Sequence, residues 1–492
     1  MWLVIDQGGH ASRVLVIDRH GRPVAEARRP VSVSQPRPGW VEQDAGQIVA
    51  SVREALADVA IQLGSACRQL RAAGLATQRS TLVCWDRRSG APLSPAISWQ
   101  DRRAAQWMRP FAAQRAKIRA ITGLLPNAHY GVSKLHWCLQ HLSAVRAARE
   151  RGSLACGPLA SFLLSNLLEE HPLLVDAVNA SRTLLWDWRQ RRWSAELLEL
   201  FGLEKDYLPR GVATRYDFGP LAIGDLRVPL TVCTGDQPAA LFAAGAPETG
   251  KAYINMGTGA FLQCVMPPSV AATDSPAQAN LLRSVVWDEA ETSIQVLEAT
   301  VNGAGSALSV VAGELGIAGE EVQKYSAAWL TNADSIPLYL NGIGGLGSPL
   351  WREDFASGFA GPEASSATAP AKLVAVLESI IFLLVVNLEA MQGAGIPLQR
   401  IVLSGGLSVL DGLCQRLADI CGLPVQRATQ AEATAHGLAF LLAGSRAVWQ
   451  KDAEDTVFSA RENPALLERY RHWRDAMDEA LGVQPAAQEA DH

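Results

Sequence analysis

No GxxxxGK[ST] segment occurs in the 492 residues, which excludes a P-loop as the device that cradles phosphate. No CxxC pair occurs among the eight cysteines (67, 84, 138, 156, 233, 264, 414 and 421), and none is paired in spacing with a histidine. Scattered in this way they read as reduced core thiols rather than zinc ligands, and a cytoplasmic location is expected. Lysine is scarce, seven against 37 arginines, and no basic block is present. With a net charge of −5, composition makes no case for nucleic acid as a partner. The longest apolar run, around Ile380 to Val386, is too short to span a bilayer and is followed by Asn387 and Glu389, so no membrane partner is expected. No signal peptide is expected either, because Met1 already opens the first strand.

What is present describes a globular protein with a large interior. Apolar residues make up 48% and charged residues 19%. A chain of 492 residues exceeds one ordinary core, so two domains are expected. The opening segment MWLVIDQGGHASRVLVID reads as strand, tight turn, strand. Asp6 stands where the chain turns, Gly8 and Gly9 permit close approach to the backbone, and His10 shares the loop. Residues 22–28 continue a β-meander, and 81–86 and 229–234 read as further strands. The spacing of Ile48, Val52, Leu56 and Val59 predicts a helix over 44–63, with Asp44 near its N-cap. Helical stretches are also expected at 102–119 and 132–150. The strand at 229–234 stops at Gly235-Asp236-Gln237-Pro238, where proline suits the first turn of a helix.

The second half begins as the first does. Ile254-Asn255-Met256-Gly257-Thr258-Gly259-Ala260 matches Ile5-Asp6-Gln7-Gly8-Gly9-His10-Ala11 at an offset of 249 residues. Any two β-hairpins look alike, so the pair alone decides little. The half-chain offset and a third glycine loop favour a duplicated fold whose two hairpins face one cleft. That third loop, Ser404-Gly405-Gly406, ends a strand and precedes a helix through Leu417 to Ile420, a combination suited to anions or nucleotides. Residues 341–347 (NGIGGLG) read instead as architecture or hinge.

Taken together, these segments resemble the FGGY carbohydrate kinases over nearly the whole chain. The resemblance rests on Asp6-Gln7-Gly8 with Ser12-Arg13, Pro38-Gly39-Trp40-Val41-Glu42-Gln43-Asp44, Thr77-Gln78-Arg79, Trp85-Asp86-Arg87 and Ile97-Ser98-Trp99-Gln100-Asp101-Arg102-Arg103. It continues through Lys134-Leu135-His136-Trp137, Asn179-Ala180-Ser181-Arg182-Thr183-Leu184, Gly235-Asp236-Gln237, Gly257-Thr258-Gly259 and Ser404-Gly405-Gly406. The resemblance implies an α/β fold of two ribonuclease H-like domains, of the actin-like ATPase and sugar kinase type, with an interdomain cleft. It implies a substrate-binding domain over 1–240 and a nucleotide-binding domain over 241–492. ATP and Mg²⁺ are the implied cofactors, and a small sugar or polyol the implied partner. The family often forms dimers or tetramers, and the sequence leaves a homo-oligomer open.

By resemblance, Asp236 is the base that takes the proton from the acceptor hydroxyl, and Asp6 organises Mg²⁺ through water. Read without the resemblance, Asp236 suits a helix N-cap and Asp6 a simple turn. Arg13 either neutralises phosphate charge or is a solvated strand residue. Arg79, Asp236 and Gln237 would hydrogen-bond the substrate's hydroxyls, with Trp99 and Phe261 as apolar walls. Core packing is the competing reading for those aromatics, since the chain has 14 tryptophans. Gly8, Gly9, His10, Gly257, Thr258, Gly305, Gly405 and Gly406 match nucleotide-side positions.

Five positions depart from the pattern of the family branch that the chain matches best. Gly9 and His10 replace two threonines that donate to phosphate; His10 can substitute if protonated or with an N–H aimed inward, or it equally lies on the surface. Ser80 replaces a glutamate, a stronger acceptor for a hydroxyl. His129 replaces a tyrosine of the substrate pocket, and Leu410 an adenine-side asparagine, with Asp411 adjacent. The scaffold and the base are kept while both ligand pockets change. The expected activity is transfer of the ATP γ-phosphate to a hydroxyl of a small sugar or polyol, glycerol-like or with four to five carbons. The competing expectation is a degenerate sugar-binding or regulatory homologue that transfers little phosphate. An actin-like filament or chaperone ATPase would leave Arg79 and Asp236-Gln237 without a purpose.

Overall fold

The computed structural model describes residues 1–273, 275–290, 292–428, 432–444 and 455–482. The chain divides into two compact units that interleave along the sequence. One comprises residues 1–247, 283–296 and 430–452; the other comprises 248–282, 297–429 and 453–492.

In the first unit the opening segment forms the expected hairpin. Strand Trp2–Gln7 pairs antiparallel with Ala11–Ile17, which sets Asp6 opposite Arg13, and Pro23–Pro30 extends the meander. On the other side of Trp2–Gln7 lie Ala72–Thr77 and then Leu226–Gly235, both parallel, with Arg215–Ile223 at the edge. Side chains alternate across a strand. Leu3 and Ile5 therefore share one face, where they join Ile48, Val52 and Val59 of helix Ala45–Leu63 in the core. That helix starts where the spacing predicts, its Asp44 cap accepting from the Gln47 N–H.

Val4 and Asp6 point to the opposite face. A helix from far downstream, Ala433–Ala443, covers it. Here two glycines are forced by close approach. A Cβ at Gly74, level with Val4, would stand 2.9 Å from the Leu438 side chain, and one at Gly437 would stand 1.7 Å from the Ala239 carbonyl oxygen. The covering helix is apolar nearly all round, so it must be buried. That requirement assigns it to the first unit, against its position in the sequence.

The second unit repeats the strand order. Lys251–Met256 and Ala260–Val265 form its hairpin, the strand ending at Val301 lies beyond, and Arg400–Ser404 and Val425–Arg427 follow in parallel on the other side. Edge strands aside, each sheet runs third, second, first, fourth, fifth along the chain. The central helix of this unit, Ala369–Gly393, has 25 residues and is longer than the apolar run at 380–386 suggests. By length and composition it could cross a membrane, yet 83% of its most apolar window is buried inside the protein. Its buried polar groups are matched. Glu378 pairs with Arg416 and Arg469, and Asn387 accepts from Ser348 Oγ at 2.8 Å.

Two expected helices are broken. The stretch 102–119 becomes Ala105–Met108, a 3₁₀ segment Arg109–Gln114 and helix Arg115–Thr122, because Pro110 removes an N–H donor. The stretch 132–150 divides at Leu142 into Gly131–His141 and Ser143–Glu150. The glycine-rich loop at 341–347 is architectural: a Cβ at Gly342 would stand 2.3 Å from the Phe355 carbonyl oxygen. All eight cysteines are free thiols, and seven are buried.

Candidate active site

Three neighbouring parallel strands of the first unit end level, with Gln7, Thr77 and Gly235 in register. In open α/β sheets, ligands bind in the crevice outside such carboxyl ends. This is how residues distant in sequence meet: Asp6 lies at the end of one strand, Arg79 just past the second, and Asp236 directly after the third. Asp236 is the first residue of the short helix Asp236–Leu241, not its cap. The cap position is Gly235, which supplies no side-chain bond, and the Asp236 Oδ1 accepts from the Gln237 N–H at 2.8 Å. Arg79 Nη2 donates to Gln237 Oε1.

Burial raises the pKa of Asp236, opposed chiefly by the Arg79 guanidinium and also by Arg182. Asp6 is pushed up to about 7, first by burial and then by the charge of Asp236; Arg13 pulls it down and Glu432 adds to the rise. The two carboxylates thus feel each other, a pattern common at functional sites. The Arg13 side chain is only partly exposed and is paired. Its Nη1 donates to Glu432, the residue that precedes the covering helix.

A buried amide network supports the Gly8-Gly9-His10 turn. Gln78 Nε2 donates to Gln43 Oε1 at 2.7 Å and to Gln7 Oε1 at 3.2 Å. In turn, Gln43 Nε2 donates to the Gly9 carbonyl and Gln7 Nε2 to the Gly8 carbonyl, both at 2.8 Å. The turn's carbonyls are therefore engaged from below, and His10 stands exposed at its tip.

Ser80 is buried in a left-handed conformation, φ 63°, and its Oγ has no hydrogen-bond partner. Nearby in the same unit, the rings of Trp99 and His129 meet edge-on at 5.7 Å. Burial holds His129 well below the usual imidazole range, with Arg182 and Lys134 adding repulsion, so its ring is neutral. Lys134 is itself buried and clamps the preceding loop, its Nζ donating to the carbonyls of Ala128 at 3.2 Å and His129 at 2.6 Å.

Of the positions that the resemblance assigns to the nucleotide, Gly8, Gly9 and His10 lie in the first unit and Gly257, Thr258, Gly305, Gly405 and Gly406 in the second. Gly305 N–H donates to the Gly257 carbonyl and Ser306 N–H to that of Thr258, at 2.9 and 3.0 Å. Those amides are spent on the loop, so Gly305 serves close approach: its Cβ would stand 2.8 Å from the Gly257 carbonyl oxygen. Gly405 has φ 93°, and a Cβ there would stand 2.5 Å from the Met256 carbonyl oxygen. Gly406 opens a short 3₁₀ turn before helix Asp411–Cys421. Leu410 belongs to the core, and Asp411 is engaged by Arg427. Asn255, the counterpart of Asp6, donates to Ser404 Oγ at 3.1 Å. Phe261 stands opposite Asn255 on the return strand of this unit, whereas Trp99 belongs to the first.

Sequence reasoning missed Glu432 and the clamp formed by Lys134. The available signal for Glu432 was a carboxylate just ahead of the apolar run 433–443, a run not assigned to any element.

Residues 1–243 match the N-terminal domain and residues 252–445 the C-terminal domain of the FGGY family of carbohydrate kinases. The chain is 34% identical to the glycerol kinase of Trichlorobacter lovleyi, covering 98% of this chain and 99% of that one. It is 35% identical to the glycerol kinase of Polaromonas naphthalenivorans, covering 91% of each. Among solved structures, Plasmodium falciparum glycerol kinase with ADP superposes with a TM-score of 0.87 at 23% identity, over 99% of both chains. A xylulose kinase from Brucella ovis gives 0.83 at 22% identity, over 98% of this chain and 99% of that one.

Proposed function

The chain belongs to the FGGY family of carbohydrate kinases, and from that premise we propose that it transfers the γ-phosphate of ATP to a hydroxyl of a small polyol, with Asp236 as base. The observation that carries this reading is the Asp236 carboxylate at the parallel strand ends, beside Arg79 and Gln237, its pKa raised above the usual carboxylate value by burial. A carboxylate made more basic by burial is better suited to accept the hydroxyl's proton. Arg79 and Gln237 hold the acceptor's hydroxyls, and Trp99 with neutral His129 lines its carbon chain. Ser80, short and with an unpartnered Oγ, leaves room for an acceptor of four or five carbons as well as glycerol. The glycine loops of the second unit hold the nucleotide.

Among the described residues, no group of three His, Cys, Asp or Glu could hold a metal unaided. Mg²⁺ in phosphoryl transfer is held by one or two carboxylates together with the substrate's phosphates, and Asp6 beside Asp236 meets that requirement. When bound, the ion neutralises charge on the transferring group. Asp6 keeps a carboxylate at the site and Asp236 takes the proton of the acceptor hydroxyl.

The test is an ADP-release assay over glycerol, tetritols, pentitols and ketopentoses, with Asp236→Asn beside the parent. Asparagine keeps the shape but cannot take the proton at neutral pH. Loss of a general base lowers kcat by ~10²–10⁴-fold while acceptor KM changes little. Activity within threefold of the parent would refute the assigned base. One observation favours a second reading, a homologue that transfers little phosphate: Arg13 is already bound to Glu432. ATP at 100 times its Kd stabilises an enzyme that binds it by about 2.7 kcal/mol; no thermal shift would support that reading.

A further inference from the structure

The carboxylate of Glu432 and the guanidinium of Arg13 are 419 positions apart in the chain. Arg13 lies opposite Asp6 in the first hairpin, so both side chains rise from the same face of the sheet. The helix Ala433–Ala443 lies over that face, and Glu432 precedes its first residue. Glu432 holds the N-cap position of that helix, makes no side-chain cap bond and reaches Arg13 instead. Thr434, two residues on, donates to the Asp236 carbonyl at 3.4 Å, so this turn borders the base as well.

The pair has little structural purpose. Its side chains are 30% and 33% exposed, and ion pairs this accessible add little to folding. Its placement is costly in another way. Asp6 feels the charges of both Asp236 and Glu432, and the Arg13 charge that pulls Asp6 down is also paired with Glu432. Glu432 takes Nη1 of Arg13, so a phosphate that binds this guanidinium through both of its terminal nitrogens competes with Glu432.

We propose that Glu432 is a built-in placeholder anion: it occupies Arg13 in the empty site and is displaced by a phosphate group of the incoming nucleotide. Glu432 is then a positioning residue that acts through Arg13 and sets the affinity for phosphate-bearing ligands. The inference rests on the kinase reading for the identity of the ligand, but its core, competition between a carboxylate and a phosphate for one guanidinium, does not require turnover.

The experiment measures binding of inorganic tripolyphosphate by calorimetry to the full-length parent, Glu432→Gln, Arg13→Gln and the double variant. Freeing Arg13 from an exposed pair corresponds to about fivefold tighter binding in Glu432→Gln. The gain vanishes in the Arg13→Gln background, because the two residues act through one contact. In the kinase assay, Glu432→Gln lowers KM for ATP and leaves KM for the polyol unchanged, a split that a merely structural role would not produce. Glu432→Asp, one methylene shorter, falls between parent and Gln variant. Equal tripolyphosphate affinity in parent and Glu432→Gln, no binding by either, or a gain that survives loss of Arg13 overturns the proposal. A parent that binds tripolyphosphate with the predicted pattern but phosphorylates no acceptor sinks the kinase reading and leaves the placeholder standing.

Discussion

The aliphatic stem of Arg79 lies where a side chain on Gly235 would stand: a Cβ there would be 2.5 Å from both Cγ and Cδ of Arg79. Gly235→Ala must therefore displace Arg79 from Gln237. Overpacking of this kind costs about 1–3 kcal/mol. The expected outcome is a lowered melting temperature and an acceptor KM raised on the order of tenfold or more, since ~1.4 kcal/mol is a factor of ten. An unchanged acceptor KM would show that Arg79 does not hold the acceptor.

Gly405→Ala strikes the other ligand. The residue has φ 93° and no room for a Cβ beside the Met256 carbonyl, so the loop must shift. Positive φ and close approach together cost about 1–3 kcal/mol. The expected kinetic signature is a raised KM for ATP with little change for the acceptor, read from initial rates with each substrate varied in turn.

Glu378→Gln tests the core of the second unit. Glu378 is buried within helix Ala369–Gly393 and accepts from Arg469 Nη2 at 2.7 Å and Arg416 Nε at 3.1 Å. Removing its charge leaves two arginines without their counter-ion. Breaking a buried pair typically costs 3–5 kcal/mol; since both arginines keep some solvent contact, the expected loss is about 2–4 kcal/mol by urea denaturation. A loss below half a kcal/mol would mean that the arginines find water instead.

Asp176 gives a pH signature. It is wholly buried, accepts from Asn179 N–H at 3.0 Å and Nδ2 at 2.8 Å, and burial pushes its pKa up to about 6. The unfolded chain releases this proton near pH 4, whereas the folded chain keeps it to about pH 6. Between those values the folded state binds more protons, so the residue's contribution makes stability fall as pH rises. Over the whole window the loss is on the order of 2–3 kcal/mol. Asp176→Asn should flatten the stability profile between pH 4 and 6 relative to the parent; parallel profiles would contradict the raised pKa.

The sequence is most legible where structure is local. The Ile5-Asp6-Gln7-Gly8 hairpin, the Asp44-capped helix and the strand that delivers Asp236 all depend on neighbours within a few positions, and each was readable from spacing. The 249-residue offset between hairpins also foreshadowed the shared strand order of the two sheets. Long-range packing left weaker traces. Nothing near Ala433 indicates that its helix belongs over Val4 and Gly74, so Glu432 could not be placed beside Arg13. Pro110 lies inside the stretch expected as one helix, and its effect shows in the 3₁₀ segment Arg109–Gln114 that interrupts it. The buried amides of Gln7, Gln43 and Gln78 are unremarkable singly, and their network exists only once the strands pair.

The helix Ala433–Ala443 sets a timetable for synthesis. Ala433 leaves the ribosome 431 residues after Trp2, which at about 5–20 residues per second is a delay of roughly 20–90 s. Throughout that interval the Val4 and Gly74 face of the nascent sheet has no cover and stays open to water and to other chains. Pairing across so many residues also slows closure once the helix has emerged. The unit whose strands are made first is therefore the one that must wait for nearly the whole chain, and a stalled or truncated product ending before residue 433 would carry a sheet with one sticky face.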